Sequence, residues 1–505
     1  MKNFDFDPPH DDVKSHAASG FIFSSASQLV RIITQFLSVI VLARLLEPSD
    51  FGLIAMVTPV YSFAMLFNNL GLNQATIQKP KITSEEVNSF FWISVGVSMA
   101  VCLLLIALSP VVSWFYKEPR TAPLTIAMAL LIITSGLGNQ HGAIMVRRMQ
   151  FRLQGILGMV SIVASLIGSV IWAYLFGGYW SLYVGLAVGS IISLAGVWLC
   201  VKWRPSAPAI APETTKMLRY GLGITGTYLA DFIAGAVNNA AIGHVLGERT
   251  LGLFDRASKL MSAPLAQMVN PISNVVGPIL YRLEHDADRY RRTFLRMLAS
   301  LTLAITPGVI WAISLPDVLI TTLLGAKWVE TIPIFVPLSL SALPLLINSA
   351  VWWLVVTQGR AGDTAKWGMF NAVASIAALF IGLPFGIVAV ANATAISHFI
   401  RAPFLWWYAS RVGPVNFGHI IRTLIPQTVG GVASFTVLKL LQSFELFGPW
   451  SLMIVGLILS YAVALMAIAL FPSGRVAIAR DYGFLKYMIK KILGRIPPAD
   501  VEPVL

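Results

Sequence analysis

Two side chains of opposite charge, Arg31 and Asp231, stand 200 positions apart, each near the middle of a long apolar stretch. A lone charge at the centre of a membrane helix costs about 2.5–3.5 kcal/mol, so the two together cost roughly 5–7 kcal/mol unless they face water or one another. A guanidinium presents a planar fork of N–H donors that matches phosphate and carboxylate oxygens, which suits it to draw a diphosphate or an acidic sugar into a wet cavity. Asp231 then serves as its counter-ion in the empty cavity, or as an H⁺ or Na⁺ site that couples transport to an ion gradient. The competing reading is a structural ion pair that only fixes helix packing.

The neighbours of both charges are polar at helical spacing. Gln28, Arg31 and Gln35 share one helix face, as do Tyr228, Asp231 and Asn238, with Asn239 beside them. Amides and hydroxyls in such stripes suit a wall that binds sugar hydroxyls; the alternative is hydrogen bonding between helices, worth only about 0.6 kcal/mol per pair. Arg401, next to Pro403, is a further cation within an apolar stretch and joins the substrate-binding set. Arg147, Arg148, Arg152, Arg291 and Arg292 fall between apolar stretches, where they either gather diphosphate headgroups at a cytoplasmic mouth or simply set topology.

The elements that must position these residues are membrane spans. Apolar residues make up 56% of the 505, charged residues 12%, and mean hydropathy is +0.75, well outside the range of soluble domains. Crossing the hydrocarbon core takes about 20 helical residues. By that length, spans are expected at 20–43, 51–70, 88–116, 121–140, 155–176, 179–201, 218–244, 258–281, 293–315, 331–357, 366–384, 386–410, 420–441 and 449–471. The fold class is an all-α polytopic membrane protein of about 14 transmembrane helices.

Lys and Arg crowd the connections that are cytoplasmic if the N-terminus is inside, such as 147–152, 202–219 and 282–296, and are sparse in the others. Both termini are therefore expected in the cytoplasm. Residues 1–19 are acid-rich and lack the basic start and cleavage site of a signal peptide, so the first span reads as an uncleaved anchor. From about 480, apolar positions at helical spacing flanked by Lys486, Lys490, Lys491 and Arg495 suggest a basic amphipathic helix on the inner leaflet.

Connections are short, and no Walker-type Gly-Lys-Ser run, His-Glu-x-x-His or Gly-x-Ser-x-Gly occurs. Enzymatic chemistry, a cofactor and a metal centre are not expected, and no basic soluble module exists to bind nucleic acid. Cys102 and Cys200 lie alone in apolar spans and read as small buried hydrophobes. Thr83-Ser84-Glu85-Glu86 is a capping box, a helix-start signal.

The chain also repeats itself. Placed over Gly243–Phe254 without a gap, Ala43–Ile54 puts Leu46, Gly52 and Leu53 on Leu246, Gly252 and Leu253. The same offset superposes the first span on the seventh in the same direction, which implies two halves related by a pseudo-two-fold axis along the membrane normal.

The run Leu42–Leu53, with Gly71-Leu72-Asn73-Gln74-Ala75-Thr76-Ile77-Gln78 and Arg147-Arg148-Met149-Gln150-Phe151-Arg152, resembles the signature of the polysaccharide transporter family (Wzx-type, colanic-acid-exporter-like) of the multidrug/oligosaccharidyl-lipid/polysaccharide exporter superfamily. The likeness is strongest over residues 20–160. It implies two six-helix bundles in a V around a central cavity, plus two C-terminal helices. It further implies movement of an undecaprenyl-diphosphate-linked oligosaccharide across the bacterial inner membrane by alternating access. The implied partners are that lipid-linked glycan, membrane lipids and a polysaccharide polymerase or co-polymerase. The family carries no universal coupling residue, so site residues must come from the chain itself.

The expected organisation is a cytoplasmic segment at 1–19, an N-terminal bundle at 20–202, a linker at 203–217, a second bundle at 218–411, two further helices within 412–472 and the basic tail at 473–505. Two other functions are weighed. An ion-coupled multidrug or cation antiporter of the same superfamily would want an acidic, aromatic cavity, against which Arg31 argues. A polysaccharide polymerase or ligase would show a large outer loop with clustered catalytic residues.

Overall fold

The computed structural model describes residue 6 and residues 13–69, 72–79, 82–208, 214–358, 360–445 and 447–492. Helix is the dominant structure, as hydrocarbon requires, since a helix satisfies every backbone N–H and C=O within its own segment. Twelve helices among the described residues are long and apolar enough to span a membrane, and they coincide with twelve of the expected spans. The other two, 218–244 and 258–281, lie on one long helical segment, Thr214–Arg282. That segment breaks at Gly247, whose φ of 81° and ψ of 175° leave the helix at the polar turn the repeat aligns with the first one.

Two compact units divide the chain, Met1–Asp255 and Arg256–Leu505. The first contains α1 (Val13–Leu45), α2 (Pro48–Asn69), the short α3 (Leu72–Gln78), α4 (Ser84–Tyr116), α5 (Thr121–Arg147), α6 (Phe151–Leu175), α7 (Trp180–Cys200) and the larger part of α8 (Thr214–Arg282). The expected linker at 203–217 therefore lies inside it.

Local chemistry sets the ends of these helices. Thr83 accepts from the Glu86 backbone N–H at 3.3 Å and Glu86 accepts from the Thr83 N–H at 3.0 Å, the capping box expected from sequence. Lys117 ends α4 in the left-handed region, with φ 54°. Exposed Trp114 and Tyr174 stand near the ends of α4 and α6, as side chains that straddle lipid and headgroup do.

Within the unit, close approaches rest on small residues, because hydrocarbon gives helices no hydrophobic reason to associate and contact must come from packing. On α6 and α7, a Cβ at Gly189 would come 3.0 Å from Ser165 Cβ, and one at Gly185 would overlap Ser169. Buried Phe6 joins Val87, Phe91, Ile144, Met145, Val201 and Trp203 in one apolar cluster, which ties a point of the N-terminal segment to α4, α5 and the residues following α7.

The second unit continues with α9 (Ala287–Ser314), α10 (Pro316–Leu323), α11 (Ile332–Thr357), α12 (Ala361–Gly382), α13 (Ile387–Val412), α14 (Phe417–Ser443), α15 (Pro449–Ala469) and α16 (Pro472–Ile492). Its core joins Phe294, Leu298, Leu346, Trp353 and Leu405 from α9, α11 and α13. The α14 and α15 pair packs on α9 through Ser434 donating to the Ser460 carbonyl at 2.9 Å and Ser460 donating to the Pro307 carbonyl at 2.7 Å. The tail helix α16 begins at Pro472, earlier than the amphipathic pattern alone suggested, because proline is well suited to a first helical turn. Asp481 accepts from Ser300 at 2.9 Å and Arg480 donates to the same hydroxyl at 2.7 Å, so α16 is held to α9 by polar groups.

Candidate functional site: a polar cavity beside Arg31

Helix α1 has two opposed faces. Exposed Leu29, Ile33, Phe36 and Leu37 form one apolar stripe, and Gln28, Arg31 and Gln35 lie on the other side of the helix. Arg31 is exposed, and its guanidinium donates to Gln28 Oε1 at 3.0 Å. No carboxylate lies within ion-pair distance of it among the described residues.

Arg31 and Ser27 line a cavity of about 830 Å³ whose other walls are α6 and α7. From α6 come Phe151, Gln154, Gly155, Gly158, Met159, Ser161, Ile162 and Ser165; from α7 come Leu186, Gly189 and Ser190. Gln154, Gly158, Ser161 and Ser165 recur at steps of three and four and so share one face. Ser190 is paired with Thr134 on α5 at 2.5 Å. Among the described residues the lining holds one cation, several hydroxyls and an amide, with no acidic side chain. Such a surface favours an anion bearing hydroxyl groups.

Other expected site residues take different places. Tyr228 and Asp231 lie on α8, and their side chains fall outside the described residues; Asn238 and Asn239, on the same arm before Gly247, are half-buried. Arg401 is only 5% exposed. It donates to the Asn371 carbonyl at 2.8 Å, Asn371 Oδ1 at 3.1 Å, Ser375 Oγ at 3.0 Å and the Ser397 carbonyl at 3.1 Å, and meets His398 Nδ1 at 3.1 Å. That shell is neutral, and it joins α13 to α12 instead of opening the guanidinium to a cavity.

The expected mouth residues also divide. Arg147 donates to the carbonyls of Thr76 at 2.9 Å and Lys79 at 2.6 Å, and so caps the end of α3. Arg148 is half-buried at the end of α5, and Arg152 is exposed in the first turn of α6, next to Phe151 of the cavity. Arg291 pairs with Asp288 at 2.7 Å, and Arg292 is exposed. The residues sequence reasoning missed are Gln154, Ser161, Ser165 and Ser190. Their signal, polar groups at helical spacing in the fifth and sixth spans, is the same one that small-residue packing gives.

At the far end of α1 the repeat becomes physical. Gly52 meets the backbone of Glu248, and Gly252 meets the backbone of Pro48, each too closely to admit a Cβ. Pro48 and Glu248 are themselves separated by the repeat offset. Beside this crossing, Glu118 accepts from Arg120 at 2.7 Å, which holds its carboxyl below the usual carboxylate range, and Arg120 reaches Glu248 at 3.4 Å. His244 stacks on Phe115, with ring centres 4.7 Å apart.

Comparison with known proteins agrees with this architecture. The chain is 26% identical over 350 residues to the succinoglycan biosynthesis transport protein ExoT of Rhizobium meliloti (strain 1021), covering 69% of this chain and 70% of that protein. It is 21% identical over 404 residues to the lipopolysaccharide biosynthesis protein WzxC of Escherichia coli (strain K12), covering 77% and 81% respectively. Among solved structures, the lipid II flippase MurJ in an inward closed conformation superposes with a TM-score of 0.73 at 16% identity, covering 90% of this chain and all of that one, which shows a shared fold. Residues 41–333, more than half of the chain, match the family model described as polysaccharide biosynthesis protein, and the chain belongs to that family.

Proposed function

We propose that this protein is a flippase that moves an undecaprenyl-diphosphate-linked oligosaccharide repeat unit across the inner membrane by alternating access, for exopolysaccharide or lipopolysaccharide assembly. The observation that carries this reading is the polar cavity containing Arg31 within a bundle of membrane-spanning helices. A membrane site that pays to keep a cation wet has use for an anionic, hydroxyl-rich cargo. The names of the relatives, a succinoglycan transport protein and a lipopolysaccharide biosynthesis protein, support the same class of cargo.

In this reading Arg31 engages the anionic part of the cargo, Gln28 and Gln35 extend its polar face, and Tyr228, Asn238 and Asn239 contribute from α8. Asp231 serves as counter-ion or as the H⁺ or Na⁺ coupling site. Arg148, Arg152 and Arg292 attract diphosphate headgroups at the cytoplasmic mouth, both termini being cytoplasmic. The work is binding and reorientation without covalent chemistry, and a polymerase or co-polymerase receives the product.

An antiporter for cationic drugs is the second reading, and the lining around Arg31 weighs against it because, among the described residues, it carries a cation and no carboxylate and so repels such cargo. The test is depletion of the protein in its own cell, with lipid-linked glycans extracted from each leaflet. Accumulation of a lipid-linked oligosaccharide on the inner leaflet is expected; an unchanged glycan pool with altered drug resistance would replace the flippase by the antiporter.

A further inference from the structure

The cavity between α1, α6 and α7 has a composition more specific than an anion trap. Three kinds of group meet in it. Arg31 supplies a planar fork of donors, and its one hydrogen bond among the described residues, to Gln28, uses a single nitrogen of that fork. Ser27, Gln154, Ser161, Ser165 and Ser190 supply groups that both donate and accept. Phe151 supplies an aromatic ring at one end. The Ser161 hydroxyl is shielded from solvent and has no hydrogen-bond partner among the described residues.

Phosphate oxygens only accept hydrogen bonds, so a diphosphate would use the guanidinium and leave the accepting half of the serine and glutamine wall idle. Sugar hydroxyls donate and accept, and the apolar face of a pyranose packs on an aromatic ring. Gly155 and Gly158 leave the α6 wall without protruding side chains, and nothing lies within 4 Å of where one would begin at Gly158, so a ring can lie against it. From Gln154 to Ser165 the polar stripe rises about 16 Å along α6, enough for more than one sugar ring.

We propose that this cavity is a saccharide subsite selective for a carboxylate-bearing sugar: Arg31 takes the carboxylate, Gln154, Ser161 and Ser165 take ring hydroxyls, and Phe151 takes the apolar face. The proposal rests on the flippase reading and sharpens it, because it assigns Arg31 to the glycan and leaves the diphosphate to be held elsewhere.

The experiment uses the full chain in lipid nanodiscs and three probes: trigalacturonate, the neutral maltotriose and farnesyl diphosphate, with binding followed by isothermal titration calorimetry. Trigalacturonate is expected to bind at least about tenfold more tightly than maltotriose, and R31Q to erase that preference. Q154L and S161A are each expected to weaken trigalacturonate binding several-fold while leaving farnesyl diphosphate binding unchanged, with size-exclusion profiles confirming folded protein. Equal binding of the two trisaccharides, no saccharide binding, insensitivity to Q154L and S161A, or direct competition between trigalacturonate and farnesyl diphosphate would each overturn the proposal. The flippase reading is scored separately by inner-leaflet glycan in depleted cells. Glycan accumulation without saccharide binding sinks the subsite alone, and saccharide binding without accumulation sinks the flippase reading alone.

Discussion

Gly52 and Gly252 make reciprocal contacts: each lies against the backbone of the residue four positions before the other, Glu248 for Gly52 and Pro48 for Gly252. Reciprocal contacts of this kind are what a local two-fold rotation between the segments produces, so the weak sequence repeat has a counterpart in backbone contact. Gly252 also places its missing side chain 3.0 Å from the Gly52 amide nitrogen, which makes the crossing a backbone-to-backbone contact.

Substituting either glycine tests that crossing. G52A and G252A each force a methyl into a carbonyl, and overpacking of this kind costs about 1–3 kcal/mol. Both variants should lower the thermal midpoint of detergent-solubilised protein by similar amounts, and the double variant should lose less than their sum because the two clashes share one relief. Unchanged midpoints would show that the helices separate here without penalty.

Arg31 and Asp231 give the functional pair of tests. R31A should abolish polymer export with the protein still inserted, and R31K should restore little, because an ammonium lacks the planar fork. Normal export by R31A removes this residue from the mechanism. D231N should remove gradient-dependent transport in proteoliposomes; unaltered transport would relegate the carboxylate to packing.

Glu118 predicts a pH effect outside the membrane. Its hydrogen bond to Arg120 lowers its proton affinity in the folded protein below that of the unfolded chain. The unfolded state therefore takes up the proton first as pH falls, so the stabilisation is complete above the unfolded carboxyl value of about 4.3 and is lost as pH drops through the lower folded value. Arg120 is 45% exposed, so the effect should stay under about 1 kcal/mol. E118Q should lower the midpoint slightly near neutral pH, where the ion pair is intact in wild type, and converge with wild type at acid pH, so that the acid slope flattens. An identical acid slope in wild type and E118Q counts against it.

Arg401 offers a contrast with Arg31. R401M strands the Asn371 and Ser375 oxygens that now accept from it, a loss of about 1–3 kcal/mol. The thermal midpoint should fall, and transport per folded molecule should persist. Lost transport with an unshifted midpoint would return Arg401 to the substrate-binding set.

Much of the fold was legible because the bilayer imposes one length on every span, and Thr83 and Glu86 announced a helix start in four letters. The repeat was legible through Gly52 and Gly252, where backbone contact permits one residue type. The cavity wall was not. Ser161 and Ser165 look alike whether a serine zips two helices together or faces cargo, and on α6 one face does both. Arg147 read as a mouth residue because its acceptors, Thr76 and Lys79, lie in and just after α3, seven residues long and too short to show a period. Phe6 was hidden for a similar reason, since its partners come from three distant parts of the chain.

The tight fit of Ser165 on Gly189 and of Ser169 on Gly185 has a mechanical corollary. Helices zipped backbone to backbone cannot slide past one another, so α6 and α7 would travel as a single stiff plank whenever the bundle rocks. Arg31 rides on α1, a third helix that packs against α6. Grip and release of cargo would then reduce to one helix shifting over a rigid plate, with the plate's array of hydroxyls preserved throughout the stroke.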